Sequence, residues 1–156
     1  MQEKGRAILA ATLALLALSA SLASSATSEI QQTQTRPNIV VLMTDDQTVE
    51  SMRVMPNVNT LLAARGTTFT NNFASYPLCC PSRSTYITGQ YGHNHTIMGN
   101  AAPSGGYDKL APTHSNTLPA WLRTAGYHTV HVGKYLNGYG RARPTEIPAG
   151  WAEWYG

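Results

Sequence analysis

The sequence of 156 residues predicts an α/β fold with a largely parallel sheet, and three observations carry that expectation. Asn38–Met43 (NIVVLM) is a continuous apolar, β-branched run, the pattern of a strand covered on both faces. His128–Val132 (HTVHV) reads as another strand. Between them lie stretches punctuated as helices, so that strand, helix, strand, helix, strand follow one another along the chain.

Taken in order, the chain opens with Lys4 and Arg6, then the apolar run Ala7–Leu18, then the small residues of SASLASSA. That three-part pattern predicts a secretory signal over residues 1–26, with Ser24 and Ala26 supplying the small residues before the cleavage point. A polar linker, residues 27–36, follows it. The strand Asn38–Met43 ends at Thr44-Asp45-Asp46. Pro56 opens a helix that holds Leu61, Leu62 and Ala64 and stops at Gly66. Thr67–Phe73 reads as a short strand or extended segment, and Ser82–Thr88 as a short helix ending at Gly89. From Tyr91 to Ser115 the Gly, Pro, Asn and Ser content predicts a long surface loop. Thr117 as N-cap and Pro119 in the first turn predict a helix over Leu118–Ala125, stopped by Gly126 before the second strand.

Composition excludes several classes of function. No apolar run reaches the ~18 residues of a membrane span, so stable membrane insertion is not expected. The formal charge is +3, from 11 Lys and Arg against 8 Asp and Glu, too small a surplus to argue for nucleic acid. Two adjacent cysteines, Cys79 and Cys80, cannot staple distant parts of a chain. In an exported protein, however, free thiols are unusual, which draws attention to the pair.

Two places carry candidate chemistry. Asp45 and Asp46 follow directly on a predicted strand, and ligands of open α/β sheets gather beyond the carboxyl ends of the strands. Adjacent carboxylates repel one another, and a hard divalent cation keeps both ionised; a solvated turn or a helix cap would use the same residues. The second place is Cys79-Cys80-Pro81-Ser82-Arg83. A helix start and Arg83 would both favour an anion at Cys79, as in a thiolate nucleophile or an oxyanion site. A buried structural cysteine and a vicinal disulfide are the other readings of the same residues.

The window CCPSR, continuing as STYITGQY, resembles the signature of the type I sulfatases, in which the first cysteine is oxidised to Cα-formylglycine. RPNIVVLMTDDQ resembles that family's first strand with its metal-binding aspartates, and HTVHVGK the strand that leads to its sulfate-binding lysine. Together with MPNVNTLLAARGTTFTNNFA, the likeness runs from about Arg36 to the end. The combination of CCPSR, YGHNH, GKYLNGYG and PAGW is similar to members of the N-acetylglucosamine-6-sulfatase type.

The resemblance implies that residues 37–156 are the N-terminal part of a catalytic domain of alkaline-phosphatase-like fold, with a mostly parallel or mixed sheet flanked by helices, incomplete in this chain. It implies hydrolysis of a sulfate ester on a sulfated carbohydrate, with a formylglycine-generating enzyme as maturation partner. The hydrated aldehyde made from Cys79 would offer two hydroxyls on one carbon, one to attack sulfur and one whose deprotonation expels sulfate. Asp45, Asp46 and the modified Cys79 would hold Ca²⁺ or Mg²⁺, Arg83 would hold the local charge, and Lys134 would contact the sulfate. His93 and His95 alternate in HNH, a spacing that would set both on one face of an extended segment, as substrate contacts or as plain loop residues. Many sulfatases carry Lys-x-His after this strand; here the residues are Lys134-Tyr135-Leu136, so the proton-transfer role of that histidine goes unassigned, and Asn137 is no proton-transfer group. The remaining metal ligands of the family come from a second half beyond this chain, so the polypeptide alone is expected to be inactive. A phosphonate- or phosphodiester-hydrolysing relative and a non-catalytic protein that binds anionic glycans are the alternatives.

Overall fold

The computed structural model describes residues 36–156, so the signal expected over residues 1–26, and the linker up to residue 35, lie outside the described residues. The chain divides into a unit ending at Leu42 and a unit Met43–Gly156. In the first, residues 36–42 are exposed and belong to no helix or strand. The expected strand Asn38–Met43 is therefore not formed. A strand exists only by its ladder, and among the described residues no segment hydrogen-bonds to this one, so its apolar side chains stay open to solvent.

In the second unit a 3₁₀ turn, Glu50–Val54, leads into α1 (Pro56–Val58), which continues as a wider π-type turn, Asn59–Ala63. Pro56 takes the first helical position, where its missing N–H is no loss. The helix thus starts where the proline predicts and is spent by Ala64, but Leu61 and Leu62 are exposed rather than packed. Thr67–Phe73 makes no ladder and leaves Phe69 and Phe73 in solvent.

Order and burial concentrate from Cys79 onward. Helix α2 (Cys79–Thr88) closes at Gly89, which takes the left-handed conformation at φ 65°. It begins three residues before the expected Ser82, because Pro81 is tolerated within the first turn, where its N–H would have no partner. The region expected to be a surface loop is instead structural. It holds α3 (Gly92–His95), α4 (Tyr107–Leu110) and a 3₁₀ turn Ala111–Thr113, and it buries Ile97, Tyr107 and Leu110. Part of its glycine content serves close packing: Gly99 and Gly105 bridge so closely that a Cβ on Gly105 would fall on the Gly99 carbonyl. Helix α5 (Leu118–Thr124) follows, with Pro119 in its first turn. The Thr117 hydroxyl does not cap it but donates to the His114 carbonyl at 2.8 Å.

The one sheet among the described residues is a parallel pair, β1 (Val130–Val132) and β2 (Glu153–Tyr155), in register Val130 with Glu153 and Val132 with Tyr155. The expected α/β class and parallel pairing are present in this small form, with β2 shorter than any sequence pattern resolves. The core gathers Cys80, Ile87, Ile97, Tyr107, Leu110, Tyr135 and Leu136, with Tyr139 and Trp154 packed against it. No helix among the described residues is long and apolar enough to cross a membrane.

Candidate active site

Cys79 is the first residue of α2, so its side chain lies where the unpaired N–H groups of the helix leave partial positive charge. Arg83 stands four residues on, the spacing that stacks two side chains on one face of a helix. Its Nη1 donates to the Lys134 carbonyl at 2.6 Å, at the turn leaving β1. Lys134 then reaches back, with Nζ 3.5 Å from Cys79 Sγ and in direct contact with the Asp45 carboxylate. The Cys79 thiol points at Asp45 Oδ1, 3.6 Å away. Residues 34 and 89 positions apart in sequence are brought to one point.

Electrostatics there are set by the ion pair. The Lys134 ammonium beside Asp45 holds that carboxyl below its usual range, and the carboxylate in turn raises the ammonium of Lys134. At neutral pH both stay charged. Asp46 sits next to Asp45 in the left-handed region at φ 51°, a conformation that Asp tolerates better than most residues. This bend turns the chain so that one ligand atom from each of Asp45, Asp46 and Cys79 lies within 4.8 Å of the others. Two carboxylates form a hard-oxygen donor set, and Cys79 Sγ marks the place an oxygen would take if that residue were oxidised. The set fits a divalent cation and would give three of the six to eight oxygens that Ca²⁺ takes.

The two histidines of HNH part company. They belong to the short helix α3, not to an extended segment, and face different ways. His93 is exposed and stacks on Tyr91, with ring centroids 6.0 Å apart. His95 is buried; its Nε2 meets Thr85 Oγ1 at 3.0 Å and its Nδ1 accepts the Ile97 N–H at 3.0 Å. Both ring nitrogens are used within the fold, and burial pushes its pKa down. His131 stacks on Trp154, its cross-strand neighbour, at 4.3 Å.

Sequence reasoning missed the support behind the site. Cys80 is fully buried, and burial pushes its thiol pKa up. Both cysteines are free, so the vicinal disulfide is not formed. Cys80 Sγ accepts the Asn137 N–H at 3.1 Å and lies 3.4 Å from Asn137 Oδ1, while its own N–H donates to Asn100 Oδ1 at 2.9 Å. The doubled cysteine was the only signal in the sequence for any of these contacts.

A thiol at a helix N-terminus, two carboxylates and two cations thus lie close together, a grouping whose positive charge can hold an anion. Comparison with known proteins narrows the class. The sulfatase family model matches residues 37–147, and the chain belongs to the sulfatase family. It is 38% identical to human N-acetylglucosamine-6-sulfatase over 130 residues, which is 77% of this chain and 23% of that protein. It is 40% identical to the extracellular sulfatase SULF-1 homolog of Drosophila melanogaster over 78% of this chain and 11% of that protein. With the arylsulfatase of Volvox carteri it shares 36% identity over 76% of this chain and 19% of that protein. The chain thus spans less than a quarter of each of these relatives. No solved structure matches it significantly.

Proposed function

We propose that the chain is the N-terminal part of an exported sulfuric ester hydrolase of alkaline-phosphatase-like fold, which acts on a sulfated carbohydrate after a formylglycine-generating enzyme has oxidised Cys79. The observation that carries this reading is Lys134, which contacts both the Cys79 side chain and the Asp45 carboxylate. That contact joins a nucleophile position, a metal-ligand position and a cation at a single point.

The chain's own residues divide the work. Asp45 and Asp46, with the modified Cys79, would hold Ca²⁺ or Mg²⁺, which supplies charge neutralisation and a lowered pKa for the nucleophile. Formylglycine supplies, when hydrated, the second hydroxyl that an ordinary thiol or alcohol lacks. Lys134 holds a sulfate oxygen as a point charge and keeps its proton through neutral pH because Asp45 stabilises the ammonium. Arg83 fixes the backbone from which Lys134 reaches and adds positive charge at the helix start. The N-terminus of α2 favours negative charge at residue 79. Fixed charges of this kind account for about 3–4 kcal/mol of barrier lowering each in comparable oxyanion sites.

The test uses protein secreted by its own host. Mass spectrometry of the tryptic peptide Gly66–Arg83 reads the state of Cys79, and turnover of 4-nitrophenyl sulfate is compared with that of bis(4-nitrophenyl) phosphate. An aldehyde at Cys79, preference for the sulfate, and loss of roughly a thousandfold or more in Cys79→Ala are expected. Loss on chelation with EDTA, restored by Ca²⁺ or Mg²⁺, is expected as well. Preference for the diester, or turnover indifferent to Cys79→Ala, overturns the reading.

A further inference from the structure

We propose that Cys80 is a positioning residue, whose buried side chain clamps the segment 134–137 against α2 and thereby fixes the reach of Lys134. The inference rests on the sulfatase reading of Lys134 and extends it to a residue with no place in the chemistry itself.

Successive residues of a helix point about 100° apart, so α2 turns Cys79 toward the site and Cys80 away from it. Cys80 is 0% exposed. Its sulfur faces Asn137 with two contacts, accepting the backbone N–H at 3.1 Å and offering the thiol proton to Oδ1 at 3.4 Å. One turn further along α2, Arg83 holds the Lys134 carbonyl at 2.6 Å. The four residues 134–137 are thus tied to the same helix at both ends, and Tyr135 and Leu136 between them are buried. From the other side, the Tyr107 N–H donates to the Asn137 carbonyl at 2.9 Å, which joins the start of α4 to the clamp. Asn100 Oδ1 accepts the Cys80 N–H and so holds the helix start itself.

The consequence falls on Lys134. A lysine side chain is long and flexible, rich in rotamer entropy, and only its root is readily fixed. Here the root is fixed to the helix that carries Cys79, so any movement of α2 takes the ammonium with it. A misplacement of about 1 Å at such a group costs on the order of a hundredfold in rate. The thiol suits the position because one uncharged atom both accepts and donates where the side chain has no exposure to solvent. Alanine would leave the Asn137 N–H and Oδ1 without their partner, whereas serine would keep both functions on a smaller atom.

The test compares Cys80→Ala and Cys80→Ser with the parent in two ways, each in the full-length protein of which this chain is proposed to be the N-terminal part. Amide hydrogen exchange reads the clamp directly: the Asn137 N–H should exchange about tenfold faster in Cys80→Ala and within about threefold of the parent in Cys80→Ser. The Trp121 N–H in α5 serves as reference for global opening. Turnover of 4-nitrophenyl sulfate, by protein from its own host with the conversion of Cys79 checked by mass, reads the consequence. In Cys80→Ala, kcat/KM should fall about tenfold or more, but less than about twofold when Lys134→Ala is already present, with Cys80→Ser restoring most of the loss. Unchanged exchange at Asn137, or the same loss in both backgrounds, overturns the proposal. Absence of turnover in every protein, the parent included, would strike the sulfatase reading instead and leave the exchange experiment to decide the clamp.

Discussion

Asp45 and Lys134 retain 39% and 41% of their side-chain exposure, and an ion pair that open contributes little to folding. Its worth lies in placing charge at Cys79. Lys134→Ala should therefore shift stability by no more than about 1 kcal/mol, read by urea unfolding, while lowering kcat/KM for an aryl sulfate by about 100–1,000-fold. A second prediction separates the two cysteines. In protein that has not been converted, Cys79 is partly exposed and Cys80 is buried, so iodoacetamide should label Cys79 about tenfold faster or more, as read by fragmenting the Gly66–Arg83 peptide. Equal labelling would mean that α2 does not hold Cys80 inside. Asp45, Asp46, Cys79, Arg83 and Lys134, which the fold brings close together, could be singled out because each stands in a short, distinctive window. Cys80, Asn100 and Asn137 were not, since their roles arise from contacts 20 and 57 residues apart and their side chains are chemically ordinary.

At the scale of elements, legibility followed whether a segment carries its own hydrogen bonds. Helices α2 and α5 do, and both were read to within a few residues from proline, glycine and capping patterns. Asn38–Met43 does not: its pattern was right for a buried strand, but a strand needs a neighbour, and none pairs with it among the described residues. The Tyr91–Ser115 region failed in the opposite sense, because glycines that permit close packing look, in sequence, like glycines of a solvated loop. Two substitutions test the elements around the site. Asn100 acts on α2 as a cap supplied from a distant turn, so Asn100→Ala should destabilise the chain by about 1 kcal/mol and Asn100→Asp by less, measured by urea unfolding. Gly150 has φ 93°, and a Cβ there would lie 2.3 Å from the Ala120 nitrogen at the start of α5. Gly150→Ala should cost about 1–3 kcal/mol, since the clash is with backbone that cannot turn aside.

The stability of the Met43–Gly156 unit as a whole depends on a buried aromatic group with a histidine inside it. His114 is 5% exposed, with its ring 5.1 Å from that of Tyr107 and 5.9 Å from that of Tyr135. Burial pushes its pKa down to about 4; Glu146 opposes the shift and Arg143 reinforces it. The folded chain therefore keeps His114 neutral at a pH where the unfolded chain, titrating near 6.5, has already taken up a proton. In that window the unfolded state binds more protons, so stability rises with pH. The contribution is fully present above about pH 6.5 and is lost as the pH falls toward 4, a change of about 3 kcal/mol. His95 and His131, also depressed by burial, act in the same direction. Carboxylates titrate over the lower part of this range in any variant, so the measurement that isolates His114 is a difference of slopes. Urea unfolding of the parent and of His114→Gln, which cannot take the proton, should be compared at pH 7 and at pH 4.5. The parent should lose about 2–3 kcal/mol more than the variant over that interval, whatever their absolute stabilities. Equal losses would mean that His114 reaches solvent in the folded chain, and that the aromatic group around Tyr107 does not exclude water.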